Sequence, residues 1–427
     1  MKRLFILLMV VVVFLTECRT EKTESQVLIS AAGSFAAAPY FTNDHQGNAV
    51  LCWTEQDSKD SLFRLKYAVY DAQTNTFNQT VTVPASAGSS NSAESMGKIA
   101  FKSDGTIVAL FSKRFPEEKN PFAGAIYYSS SDDAGKTWSE AQYLHSDTAH
   151  AYGRSFFDLA VLKDGELAAV WLDGRYAKEI KGSALFFART EKGKGFGLDT
   201  CLEKGTCECC RTDLFTDKDG NLHLAYRNIM YPSALSGKQV RDMVYKLSKD
   251  NGKHFSAPKT ISNDNWEIEG CPHSGPSMAR TAGGICALWF TAGGGAGLYY
   301  TASKALGGEF NRRKLFSASG RHPQMIALKD GSLAMVFEEL AAAAPEHSMK
   351  MDHSKGSMKM NHGPSASAKV VLEIVSGGEL KESVKLTNGD LSDNHAVLTE
   401  TGEGLLVAWV REGHNGSEIY CTLVKPL

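Results

Sequence analysis

The chain has 427 residues, 43% hydrophobic and 22% charged. That balance is ordinary for a soluble globular protein, and the length allows two domains or one large repetitive one. The formal net charge of −2 argues against a nucleic-acid surface, which needs a marked basic excess, and 39 glycines with 10% aromatics suit an all-β chain with many turns.

Met1-Lys2-Arg3 followed by the apolar run Leu4 to Leu15 has the pattern of an export signal and is short for a membrane span. Leu15-Thr16-Glu17-Cys18 resembles a bacterial lipoprotein cleavage box, although Glu17 stands where a small residue is usual. The alternative is plain secretion with Cys18 discarded. The expected layout is a signal over 1–18, a tether over 19–25 and a folded unit over 26–427. The location expected is exported, periplasmic or as an outer-membrane lipoprotein, with membrane contact only through the lipid. Disulfides are permitted there.

One unit then recurs seven times: a strand, a tight turn ending in Gly, and an apolar strand. The turns are Asn43 to Gly47, Asp104-Gly105, Asp164-Gly165, Asp219-Gly220, Gly283-Gly284, Asp330-Gly331 and Gly402 to Gly404. The strands behind them begin at Ala49, Val108, Leu167, Leu222, Ile285, Leu333 and Leu405. Alternating apolar runs behind Asp-Gly turns predict hairpins. Two later turns, Ser131-Asp132-Asp133-Ala134-Gly135-Lys136-Thr137-Trp138 and Ser248-Lys249-Asp250-Asn251-Gly252-Lys253-His254-Phe255, resemble the Asp-box, or BNR repeat, of sialidase-like propellers. The resemblance implies a β-propeller. The seventh unit lacks an outer strand, which Gln26 to Ser30 can supply. The expectation is therefore an all-β, seven-bladed propeller closed by an N-terminal strand. The six-bladed sialidase fold is the alternative.

Counting back about nine residues from each turn predicts what faces one end of the central channel: Ala38, Met96, Phe156, Cys210 or Arg211, His273 or Ser274, His322 and His395. Cys207-Glu208-Cys209-Cys210-Arg211 and Gly270-Cys271-Pro272-His273-Ser274-Gly275-Pro276 then meet there. Three cysteines in four residues exceed the needs of core packing and concentrate thiolate chemistry. The expected metal ligands are Cys207, Cys209, Cys210, Cys271 and His273, with His322 and His395 nearby. Cys, His and Met together suit copper; without Met the set suits zinc. A disulfide framework is the competing reading of the cysteines. Cys52, Cys286 and Cys421 lie in apolar runs and read as core thiols.

A segment at 345–364 in the sixth unit carries His347, Met349, Met351, His353, Met358, Met360 and His362 without apolar periodicity. Its Met-x-Met repeats resemble the methionine-rich loops of periplasmic copper-handling proteins and point to metal capture, with the metal or a metal-handling protein as partner. Sialidases also carry arginines for the substrate carboxylate. Here the first inner strand reads Ala36-Ala37-Ala38-Pro39-Tyr40, so the first arginine is missing. Arg154, Arg175, Arg211, Arg227, Arg241 and Arg321 remain as candidate arginines, and Asp173 and Glu338 as candidate carboxylates. Of these, Arg175, Arg227, Asp173 and Glu338 are the catalytic candidates; inter-blade salt bridges are the competing reading for Asp173, Arg175 and Arg227. The Cys-x-Cys-Cys-Arg and Gly-Cys-Pro-His-Ser-Gly-Pro runs, with Arg321-His322-Pro323-Gln324, resemble a subgroup of bacterial exported BNR propellers. Three functions are compatible with this: a metal binder with copper first, a sialidase-type exo-glycosidase acting on a glycan, and a non-catalytic interaction platform.

Overall fold

A computed structural model describes residues 25–231, 233–234, 237–270, 272–340 and 367–425. The signal segment, Cys18, Cys271 and the Met/His segment at 345–364 lie outside the described residues. The chain is all-β, with thirty strands, two short 3-10 turns and no α-helix among the described residues. Each of the seven apolar runs is a buried strand, for example Leu167–Asp173, Gly284–Thr291 and Leu405–Gly413.

The strands form six antiparallel sheets, and none closes on itself among the described residues. One sheet has nine strands, and its two halves meet through the single pair Thr206 and Asn228. The strands that precede the Gly turns touch one another in series. Ala36–Asn43 lies against Lys98–Phe101 on one side and Ser392–Glu400 on the other. Lys98–Phe101 touches Arg154–Val161, which touches Asp213–Thr216; Ser277–Thr281 touches Gly320–Ala327, which touches Ser392–Glu400. Asp213 joins the two runs by accepting from the Met278 amide. Val27–Leu28 pairs with Gly416–Val424 and supplies the outer strand of the last sheet.

The core lies between neighbouring sheets. Trp53, Trp171, Trp289 and Trp409 are wholly buried, and each indole N–H donates to a carboxylate: Glu55 at 2.7 Å, Asp173 at 3.3 Å, Asp264 at 2.8 Å and Asp393 at 3.0 Å. A buried indole N–H needs such a partner. A basic residue pairs with each of these carboxylates: Lys66 with Glu55, Arg175 with Asp173, Arg313 with Asp264 and Arg411 with Asp393.

The turns resembling Asp-boxes share one hydrogen-bond pattern. Asp133 accepts from the Thr137 amide and Ser131 Oγ from the Gly135 amide. Asp250 and Ser248 do the same for His254 and Gly252.

Candidate metal centre

Four of the first strands contain a register shift, at Ala37/Tyr40, Ser155/Asp158, Arg321/Gln324 and Asn394/Val397. In each, one residue takes a left-handed conformation: Ala38 (φ 57°), Phe156 (54°), His322 (44°) and His395 (50°). His273, just ahead of Ser277–Thr281, does likewise at 46°. Non-glycine residues reach this region at a cost of roughly 1–3 kcal/mol, so the surrounding structure must impose it. These are the positions selected by counting back from the turns. The bulge re-aims each side chain.

Hydrogen bonds draw these positions together. Ser95 Oγ accepts from the Phe156 amide, Arg211 Nη2 donates to Pro323 O at 2.8 Å, and the His322 and His395 rings lie 4.8 Å apart. Gly275 packs so tightly on Arg211 that a Cβ there would collide with Arg211 Cγ and its carbonyl oxygen.

The sequence-selected ligands fall into two groups. The first is Cys207, Cys209 and Cys210, all buried. These cysteines sit in the short crossover between Thr200–Thr206 and Asp213–Thr216. The Cys207 amide donates to Arg227 O, which holds the crossover against the strand Leu222–Ile229. Cys207 Sγ is 3.6 Å from Cys209 Sγ and 3.5 Å from Cys210 Sγ, and no disulfide forms among the described cysteines. Arg241 Nη1 lies 3.0 Å from Cys207 Sγ and 3.0 Å from Glu208. Arg227, 1% exposed, donates to the carbonyls of Arg241, Ser274 and Phe290 among the described residues. Burial pushes the Cys207 thiol up, but hydrogen bonding with Cys209 and Cys210 and the charges of Arg241 and Arg227 hold it well below the usual thiol range. Burial and the neighbouring Cys207 push Cys210 up. Two buried guanidiniums, of which only Arg241 is paired with a carboxylate among the described residues, therefore favour negative charge on sulfur.

The second group is Glu94, His322 and His395. Glu94 is the member of this group that sequence reasoning did not select. It lies two places before Met96, in a stretch without strand periodicity. Glu338 supports this group: its Oε2 lies 2.9 Å from His322 Nδ1, and its Oε1 accepts from the His395 amide. Burial works against charge on His322, but Glu338 and Glu94 raise it to about 9, while burial holds His395 down. Glu338 is pulled down to about 2, against burial, by His322 and His395. His273 feels the charges of Glu94, Cys207 and His322, although burial dominates and lowers it.

The remaining candidates have structural partners. Asp173, wholly buried, pairs with Arg154 at 2.9 Å and Arg175 at 2.7 Å, and Arg175 also pairs with Asp199. Arg321 lies over the Phe290 ring at 4.2 Å. Met96 is buried and lines a central cavity of about 720 Å³, whose walls also carry Lys98, Asp158, Arg211 and Asp213. Cys52, Cys286 and Cys421 are buried thiols in the sheet cores.

No protein-family model matches the sequence, and no curated protein matches it. Several solved structures are similar in fold. Polysaccharide lyase Uly1 is 12% identical, with 91% of this chain and 89% of that chain covered and a TM-score of 0.54. A Dyadobacter fermentans protein of unknown function is 14% identical over 94% and 98%, at 0.49. Hadza microbial sialidase Hz136 is 14% identical over 87% and 74%, at 0.48. At these identities the likeness concerns the fold, and the Uly1 match carries it.

Proposed function

We propose that the chain is an exported seven-bladed β-propeller, closed by its N-terminal strand, that binds a soft metal ion, copper first and zinc second, at Cys207, Cys209 and Cys210. The observation that carries the reading is three buried sulfurs within 4.8 Å of one another, Cys207 lying 3.6 and 3.5 Å from the other two, beside two buried guanidiniums. Three thiolates around Cu(I) leave a net negative charge, which Arg227 and Arg241 offset inside the core. Cys271 is proposed as a further ligand. The serial contacts of the seven first strands, returning from Ser392–Glu400 to Ala36–Asn43, support the seven-blade count. The Met/His segment falls in the chain between the strands Leu333–Leu340, which carries Glu338, and Ala368–Ser376, and its proposed role is to capture metal and pass it on. Lipid attachment at Cys18 belongs to the same proposal.

Titration with Cu(I) tests it. Near-UV thiolate-to-metal absorption should saturate at one ion per chain and vanish in Cys209→Ser/Cys210→Ser. An unchanged absorption in that variant refutes the thiolate site.

A second reading, action on a glycan, is supported by the central cavity and its charged lining. Sialic acid release or polysaccharide cleavage that disappears in Glu338→Gln would favour it.

A further inference from the structure

We propose that Glu94, His322 and His395 form a second, separate metal site that takes one divalent transition-metal ion of the zinc class. It stands independently of the thiolate reading.

Glu94 is 6% exposed. Among the described residues neither of its carboxylate oxygens makes a hydrogen bond, and buried His395 Nδ1 also lacks one. Orphaned buried polar atoms are costly and uncommon. These orphans face one another: Glu94 Oε1 is 3.8 Å from His322 Nε2 and 3.8 Å from His395 Nδ1. That spacing is too long for a hydrogen bond. It is close to the roughly 3.4 Å that separates ligands in a tetrahedral site with bonds of about 2.1 Å.

The outer contacts match as well. His322 turns its other nitrogen to Glu338 at 2.9 Å, and a metal-bound imidazole characteristically donates its second N–H to a carboxylate. Glu338 also fixes the backbone of His395. One carboxylate thus orients both histidines. Both stand on left-handed bulges, which hold their rings at one point although 73 positions separate them in the chain.

Two histidines and one carboxylate suit zinc-class divalent ions. Three protein ligands leave a fourth position for water or a substrate oxygen. Arg211 Nε, 3.9 Å from Glu94 Oε2, places a fixed positive charge beside the group, which would favour an anionic fourth ligand.

Cobalt(II) added to the full-length protein tests the proposal. The expected result is a visible d–d band at one equivalent that persists in Cys209→Ser/Cys210→Ser and lacks sulfur charge-transfer intensity. In the Cys209→Ser/Cys210→Ser background the band should disappear on adding Glu94→Gln or His395→Ala. Alanine already occupies the corresponding bulge at Ala38, so the second variant should fold. Glu338→Gln should weaken binding by about 10–100-fold. In that background, a band that survives both Glu94→Gln and His395→Ala overturns the site, as does the absence of any band from the wild type. Loss of the band in the cysteine variant alone assigns the ion to the thiols and also overturns it.

Discussion

Removing the Asp173 carboxylate tests whether this residue is structural or catalytic. Asp173 and Arg154 both have fully buried side chains. In Asp173→Ala, Arg154 keeps only Asp147 at 3.2 Å as a charged partner, and that side chain is one-third exposed. The Trp171 indole and the Arg175 amide lose their acceptor as well. Breaking a buried ion pair from one side costs about 3–5 kcal/mol. With an unfolding entropy of about 2 cal/mol/K per residue, a chain of this size should lose about 3–6 °C of Tm. Calorimetry reads the shift, and urea unfolding checks the free energy. Adding Arg154→Met should restore about 1–2 kcal/mol, because the orphaned charge goes with it. A Tm within 1 °C of wild type, or strictly additive losses, would refute the reasoning.

Further outcomes follow from other contacts. Burial and the nearby charge of Asp158 raise Asp213 to about 8. The folded state therefore holds this proton where the unfolded chain has lost it, so Asp213 costs stability progressively as pH climbs from about 4 to 8. Asp213→Asn should show a smaller fall in urea midpoint between pH 5 and 9; equal falls would contradict the assignment. Gly275→Ala forces a Cβ into Arg211 and should cost about 1–3 kcal/mol by overpacking, as read by thermal melting. Alkylation of denatured, unreduced protein should label Cys201, Cys207, Cys209 and Cys210 as thiols, and mass spectra showing them paired would favour the disulfide framework instead.

The turns and strands were legible because hairpin chemistry repeats: an Asp-Gly turn needs positive φ at glycine, and the apolar strand behind it must be buried. Counting from those turns also located His322 and His395. Their left-handed bulges were not legible, since a register shift leaves no mark on the apolar pattern. Glu94 escaped because it precedes its strand and carries no periodicity, though it lies within two places of the selected Met96. Asp173 and Arg175 looked like site residues because a charged pair ending an apolar strand has that appearance. The indole N–H of Trp171 supplies the structural reason for the carboxylate, and that contact is visible only in three dimensions. The cysteine run announced thiolate chemistry, but the guanidiniums of Arg227 and Arg241 that favour its charge lie on neighbouring strands.

The most direct test of the thiolate site is copper retained per chain after dialysis against a competing Cu(I) chelator, measured on full-length protein and on Cys209→Ser/Cys210→Ser. The expected result is one tightly held copper in the wild type that the variant lacks. Equal copper in the two proteins would contradict the claim that Cys207, Cys209 and Cys210 hold the ion.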